Sequence, residues 1–405
     1  MGHGHGHSHS HRAPDVHTSG PITRLLLGLL ALTAIATLVG VVVLWPDGER
    51  PTTPYSADGV TYPDGEVLRV GEACPVVTQD STDFPEICDD VDVRLDDAGT
   101  VDGVRVRPGV VDVLQVGDRV TLVAVPQQGA DEPSYGWVGV DRKPPLGWLA
   151  LVFLLVVAVI ARVRGLLAIL GLGFAGTVIG WFMLPALLAG SSGLAVALVG
   201  STAIMFVVLY LAHGPSVRTS TALAGTLIGL AITAGVGLVA IHTARLSGLG
   251  DESSLLLRNQ ADQLDFRGLL TCAVIVAGLG VLNDVTITQS SSVWELRQAA
   301  PHLSRRAIFT SGMRIGRDHI ASTIYTIVFA YAGTAVATML LISLYDRPLI
   351  DVLSDEAIAE EVARTLASAI GLVLAVPVTT AIAAATVAPA VRPDGSLSDE
   401  RAGSV

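Results

Sequence analysis

The stretch that decides the fold is Leu194–Ala212, LAVALVGSTAIMFVVLYLA. These 19 consecutive residues include no charged side chain. A helix of about 20 apolar residues crosses the hydrocarbon core of a bilayer, because each helical residue adds about 1.5 Å along the axis. We therefore predict that this segment is a transmembrane helix.

Seven further apolar runs of similar kind predict an α-helical polytopic membrane protein with about eight transmembrane helices. The composition agrees, since only 15% of the 405 residues are charged and the mean hydropathy is +0.58. Soluble domains carry about 25% charged residues, so a soluble enzyme is excluded. The further runs are Leu25–Trp45, Leu146–Ala161, Leu166–Leu184, Thr221–His242, Gly268–Asn283, Ile320–Leu344 and Leu366–Pro389.

The distribution of arginine predicts that both termini are cytoplasmic. Cytoplasmic loops of membrane proteins carry an excess of Lys and Arg. The first apolar run ends in Trp45-Pro46, which is not a small-residue cleavage site, and we interpret it as an uncleaved anchor. With the N-terminus inside, the cytoplasmic segments hold Arg12, Arg24, Arg162, Arg164, Arg218, Arg297, Arg305, Arg306, Arg314, Arg317, Arg392 and Arg401.

Residues 60–143 are predicted to form a small extracytoplasmic β-barrel-like domain, inserted after the first helix. Val91–Leu95 and Tyr135–Val140 alternate apolar and polar side chains, as strands do. The region from 46 to 145 carries a net charge of −12 and the remainder is neutral, so this region must lie in water. The domain order is then a tail at 1–24, a helix at 25–45, the β domain at 60–143, a seven-helix domain at 146–389 and a tail at 390–405.

The acidic domain leaves two roles open: a platform that binds an envelope partner, or a cap that only solubilises the protein. Its negative surface argues against nucleic acid as a partner. Cys74 and Cys88 lie within it, and a disulfide between them is chemically permitted if the domain faces an oxidising compartment.

Two polar helix faces predict a cytoplasm-facing cavity between the sixth and seventh helices. Asp284, Thr288, Ser291 and Glu295 follow helical spacing and share one face. The competing interpretation is ordinary: serine and threonine bond helix to helix, and Asp stabilises a helix start. The polar face of the seventh helix consists of Asp318, Ser322 and Tyr325 together with His319, Thr323 and Thr326, which follow the same spacing.

Pro377 lies near the middle of the eighth run and predicts either a broken helix that lines a site or a simple kink. The two strings Ala175–Gly180 and Ala224–Gly229 both contain GxxxG, which lets helix backbones approach closely. Such faces suit helix packing within one chain or in a homo-oligomer.

The N-terminus alternates histidine with Gly and Ser, at His3, His5, His7, His9 and His11. Clustered imidazoles bind divalent metals such as zinc, nickel or copper, so this tail is a candidate metal site. No other cofactor is predicted. The sequence has no GxxxxGK[ST], HExxH or GxSxG motif, and we therefore expect neither ATP hydrolysis nor another enzymatic activity.

Three motifs resemble the YibE/F family of multi-pass bacterial membrane proteins. They are Gly280–Leu296 (GVLNDVTITQSSSVWEL), Gly312–Ile320 (GMRIGRDHI) and Tyr331–Thr334 (YAGT). The resemblance covers about 60–389 and implies a bacterial inner membrane and an eight-span fold. A His-rich N-terminus and an Arg-rich, Lys-poor composition are similar to actinobacterial members. The resemblance supplies no catalytic residues, but its motif residues Asn283, Asp284, Gln289, Arg317 and Asp318 coincide with the polar faces.

The hypothesis that follows is a permease for a small solute or ion, without ATP hydrolysis of its own, in which Asp284 and Asp318 bind or gate at the cytoplasmic side. One alternative is a non-transporting envelope scaffold or regulatory membrane protein whose β domain binds a partner. A second alternative is handling of a divalent metal through the histidine tail. An intramembrane enzyme is the weakest hypothesis, because no nucleophile–base pair or metal triad can be placed.

Overall fold

The computed structural model describes residues 18–46, 59–73, 89–97, 99–107, 109–127, 133–261, 263–344 and 348–389. The chain divides into two compact units, one of residues 51–160 and one of residues 1–50 with 161–405. The histidines His3–His11 and the pair Cys74 and Cys88 lie outside the described residues, so the metal site and the disulfide stay predictions.

The unit at 51–160 contains a five-stranded antiparallel sheet with the strand order β3-β2-β1-β4-β5. Alternation places Val91, Val93 and Leu95 of β2 in the core, beside Val67 of β1 and Leu122 of β4. The strands are β1 (Asp64–Val70), β2 (Asp90–Leu95), β3 (Thr100–Arg105), β4 (Arg119–Val125) and β5 (Ser134–Val140).

The sheet forms a half-barrel. It does not close fully into the barrel-like domain that the sequence suggested. Its edge strands β3 and β5 approach to within 8 Å between Cα atoms but form no ladder with each other. Val116 and Gly117 form the turn before β4, and Gly117 has a φ of +96°, which glycine adopts without strain.

Ion pairs within the sheet and its turns hold several acidic residues of this unit. Arg69 of β1 donates to Asp90 and Asp92 of β2, at 2.7 Å in the case of Asp90. The guanidinium of Arg69 therefore lowers the pKa of the Asp92 carboxyl below its ordinary value. Arg119 of β4 lowers the pKa of Asp96 in the same way. The negative charge of the unit is thus partly compensated within the sheet.

Apart from α2, which belongs to the unit at 51–160, the helices form the other unit. Seven of the described helices are long and apolar enough to cross a membrane, or eight if the bent pair α9 and α10 is one span. The helices are α1 (Gly20–Val43), α2 (Lys143–Ile160), α3 (Arg162–Val178), α4 (Leu184–Leu188), α5 (Gly193–His213), α6 (Val217–Thr243), α7 (Glu252–Arg258), α8 (Phe266–Ala299), α9 (Arg305–Thr334), α10 (Val336–Ser343), α11 (Leu349–Leu353) and α12 (Glu356–Thr386).

The predicted helical architecture with a separate β unit is confirmed, while insertion into a membrane stays a prediction. Three helices differ clearly from the predicted runs, and one of them is α12, which begins at Glu356 rather than at Leu366. The 34 residues of α8 make it about 51 Å long, well beyond the roughly 30 Å of a hydrocarbon core. The seventh run is bent by 66° between α9 and α10, and α9 begins earlier than predicted, at Arg305.

One end of the helical unit gathers the start of α1, the end of α12 and the connection from α8 to α9. The backbone N–H of Ser19 donates to the carbonyl of Thr386 at 2.8 Å, and Arg305 donates to the carbonyl of Val387 at 3.0 Å. The start of α1 and the end of α12 therefore lie at the same end of this unit. A separate contact involves the segment that follows α6. There the backbone amides of Gly248 and Gly250 donate to the buried carboxylate of Glu360, in the second turn of α12.

Helices α6, α8 and α12 form the centre of this unit, and glycines permit their close approach. A Cβ at Gly229 of α6 would lie 2.7 Å from Leu282 of α8 and 2.9 Å from Ala375 of α12. Gly225, one turn earlier, faces Thr379 in the same way. Around Gly176, in the matching string of α3, no described atom lies within 4 Å of the Cβ position. The two similar strings therefore differ in what they contact.

We predict that Gly225→Ala destabilises the protein and that Gly176→Ala does not. The new methyl at 225 would lie 2.9 Å from the Cβ of Thr379, and overpacking of this type costs about 1–3 kcal/mol. At 176 alanine meets open space and gains up to about 1 kcal/mol of helix propensity. Thermal unfolding of the purified protein in detergent measures both effects. Equal unfolding temperatures for the two variants would contradict the described packing.

Candidate functional site

A cavity of about 640 Å³ lies among α5, α8 and α9, and we name it the acidic cavity. Its wall on α8 carries Asp284, Thr288, Ser291 and Glu295, the polar face identified in the sequence, together with Ser292. His213 lies at the last position of α5. The lining consists of His213, Asp284, Ile287, Thr288, Ser291, Ser292, Glu295, Leu296, Ala299 and Ile315.

Helix α8 positions this face because its opposite side is held in the protein core. Val285, Gln289 and Val293 alternate with the cavity residues along the helix, and all three are buried. The hydroxyl of Ser290 donates to the carbonyl of Arg218 on α6 at 2.8 Å, which fixes the rotation of α8 further. With one face packed, the face at Asp284 and Glu295 must point away from the core, into the cavity.

The electrostatics of the cavity are dominated by two exposed carboxylates, those of Asp284 and Glu295. The lining described by the structure includes no Lys or Arg. The Nε2 atom of His319 on α9 lies 3.9 Å from Oδ2 of Asp284, close enough to attract but too far for a hydrogen bond. A positively charged solute would therefore be favoured here over an anion.

Most of the predicted polar residues of α9 lie outside the acidic cavity. Arg317, Asp318, Ser322, Tyr325 and Thr326 are exposed and are not among the residues that line the acidic cavity. Thr323 is buried, and its hydroxyl donates to the carbonyl of His319 in its own helix at 2.8 Å. The structure thus brings the α8 face together with His319, and it does not bring that face together with Asp318.

Gln289 lies at a junction of three helices rather than in the cavity. Its amide nitrogen donates to the carbonyl of Gly312 on α9 at 2.8 Å and to the hydroxyl of Thr380 on α12 at 2.7 Å. A Cβ at Gly316 would lie 3.0 Å from the amide oxygen, so a small residue is required there. The neighbouring Asn283 is half-buried, and no described group bonds its side-chain oxygen.

Helix α12 continues through Pro377 without a break. Proline has no N–H, so the carbonyl one turn earlier loses its helical partner. The hydroxyls of Thr379 and Thr380 donate to the carbonyls of Ala375 and Val376, both at 2.7 Å. These bonds satisfy both threonine hydroxyls within the helix. Pro377 is not among the residues that line the acidic cavity.

Sequence reasoning missed His213 and Ser292. His213 directly follows the uncharged run that ends at Ala212, so it is the first ionisable residue past a predicted helix, and that position was its only signal. Among the residues that the structure describes, no group of three or more His, Cys, Asp or Glu side chains is placed to hold a metal ion.

We predict that Gln289→Leu destabilises the protein by about 1–3 kcal/mol, because it leaves the Gly312 carbonyl and the Thr380 hydroxyl without their donor. Gln298→Leu is the matched control, since Gln298 lies on the same helix and is exposed. Denaturant unfolding in detergent compares the two. A smaller loss of stability for Gln289→Leu than for Gln298→Leu would contradict the three-helix junction.

Comparison with known proteins gives one finding. Residues 149–389 match the family model described as YibE/F-like protein. The match begins within α2, includes every residue that lines the acidic cavity, and leaves out the β-sheet. No match was found among curated proteins or among solved structures.

Proposed function

The chain belongs to the YibE/F-like family, and from that premise we propose that it is a membrane permease for a small solute or ion, rather than an enzyme, and that ATP hydrolysis within this chain does not drive it. The acidic cavity is its solute site. The single observation that carries the proposal is the combination of cavity volume and charge: about 640 Å³, with two carboxylates and no Lys or Arg in the described lining. Ligand sites typically measure 300–1,000 Å³.

We place both termini and the acidic cavity on the cytoplasmic side of a bacterial cell membrane. The end of the helical unit where α1 begins and α12 ends also carries Arg305 and Arg306, which suits the excess of positive charge on cytoplasmic loops. Glutamates occupy the opposite end of α12, at Glu356, Glu360 and Glu361. In this orientation the β-sheet lies outside.

We propose a cation or a cationic solute as the substrate class. In the cavity Asp284 and Glu295 attract positive charge, and Thr288, Ser291 and Ser292 offer hydroxyls that replace part of its hydration shell. His213 lines the same cavity, and His319 lies beside it, 3.9 Å from Asp284. An anion would meet uncompensated repulsion there.

We predict that Asp284→Asn lowers solute accumulation at least tenfold, because it removes a charged contact of roughly 1.5–3 kcal/mol without changing the shape of the side chain. The measurement is the cellular content of K, Mg, Mn, Zn and other elements, by mass spectrometry, in a deletion strain complemented with wild type or variant. Asp351→Asn is the control, because that carboxylate is exposed on α11, away from the cavity lining.

The scaffold hypothesis predicts a different pattern in the same strains. Deletion of residues 60–143 would then abolish the growth or envelope phenotype, while Asp284→Asn would behave as wild type. Element contents that are equal in the wild-type and Asp284→Asn strains, although they change on deletion of the whole protein, would refute the assignment of the acidic cavity.

A further inference from the structure

A second cavity, of about 660 Å³, lies inside the bend between α9 and α10, and α11 and the first part of α12 close it. We name it the bend cavity. It shares no lining residue with the acidic cavity. Its walls are mainly apolar, as shown by Val328, Ala332, Met339, Ile342, Val352, Val362 and Leu366.

The bend cavity exists because the seventh apolar run does not continue straight. Helix α9 ends where the N–H of Ala335 donates to the carbonyls of Tyr331 and Ala332, and α10 leaves at 66°. The bend leaves apolar side chains partly uncovered, with Met339 45% exposed and Leu366 56% exposed. Apolar walls without contacts lose dispersion energy, so an apolar occupant would be stabilised there.

One carboxylate lines the bend cavity, that of Glu361. Arg364, one turn further along α12, donates to one of its oxygens at 2.7 Å. A carboxylate has about four acceptor positions, so this bond leaves capacity for a second donor. Tyr331, Ser343 and Thr365 add hydroxyl groups to the lining. Polar groups are therefore few, as in cavities that bind drug-sized amphiphiles.

We propose that the bend cavity binds an amphiphile that joins an apolar chain to an ammonium group, such as an aminophospholipid or a free lipophilic amine. The chain fills the apolar space between α9, α10 and α12. The ammonium group donates to Glu361, in surroundings of low polarity where such a bond is stronger than in water. A head without an ammonium group forms no ammonium–carboxylate bond with Glu361. The proposal uses none of the residues of the proposed transport site.

The test is native mass spectrometry of the purified full-length protein with two lysolipids that share one acyl chain. Lysophosphatidylethanolamine carries an ammonium group, and lysophosphatidylglycerol does not. Wild type is expected to retain one lysophosphatidylethanolamine about tenfold more tightly, which is the ratio for one charge-assisted hydrogen bond. Glu361→Gln should remove this preference while it preserves the shape of the cavity.

Ala332→Trp should fill the bend cavity and abolish retention of both lysolipids. Ala330→Trp is its matched control, because Ala330 is an exposed alanine of the same helix outside the lining. Competition with dodecylamine distinguishes the two sources of the ammonium group. Displacement of lysophosphatidylethanolamine by dodecylamine assigns the site to a free amine. No displacement assigns it to the phospholipid. The proposal is overturned by equal retention of both lysolipids in wild type or by an unchanged preference in Glu361→Gln. Because Glu361→Gln preserves the side-chain shape, the lysolipid preference of this variant tests the proposal even if a tryptophan variant does not fold.

Discussion

The close approach of α6, α8 and α12 is the interaction on which the rest of the helical unit depends. A helix bundle in lipid gains no hydrophobic energy from helix–helix contact, so packing and interhelical hydrogen bonds must hold it together. Gly225, Gly229 and Gly371 remove side chains where the backbones come nearest. The hydroxyls of Thr226 and Thr286 then bond across α6 and α8 at 2.6 Å. Small residues bring the helices together, and buried hydroxyls fix their register.

This packing explains why α8 presents a charged face. Its buried side holds Gln289, which bonds to α9 and α12 at once, and the helix cannot rotate without loss of both bonds. Asp284 and Glu295 are therefore directed away from the core. The helix also extends far beyond the thickness of a hydrocarbon core, so its last turns can carry charge where water is accessible. The acidic cavity is thus a consequence of how the core is packed.

The two cavities of the helical unit differ in chemistry and in origin. The acidic cavity is bounded by the polar face of a helix whose other face is packed. The bend cavity results from a helix that changes direction, so its walls are the apolar side chains that a straight helix would have buried or presented to lipid. One cavity suits a charged solute and the other an amphiphile, and the chain presents both within one unit.

The sequence by itself determined the helices, the strand content of the acidic segment and the polar face of α8, because hydrophobic periodicity and charge act along the chain. Alternation at Val91–Leu95 predicted β2, and the spacing of Asp284, Thr288, Ser291 and Glu295 predicted their common wall. Only the tertiary structure decided which partners each face meets. The glycines of two nearly identical strings face core side chains in α6 and open space in α3, and Gln289 is a core residue while His213 lines the cavity. Such contacts depend on how helices far apart in sequence cross, and a periodic pattern within one helix carries no information about that crossing.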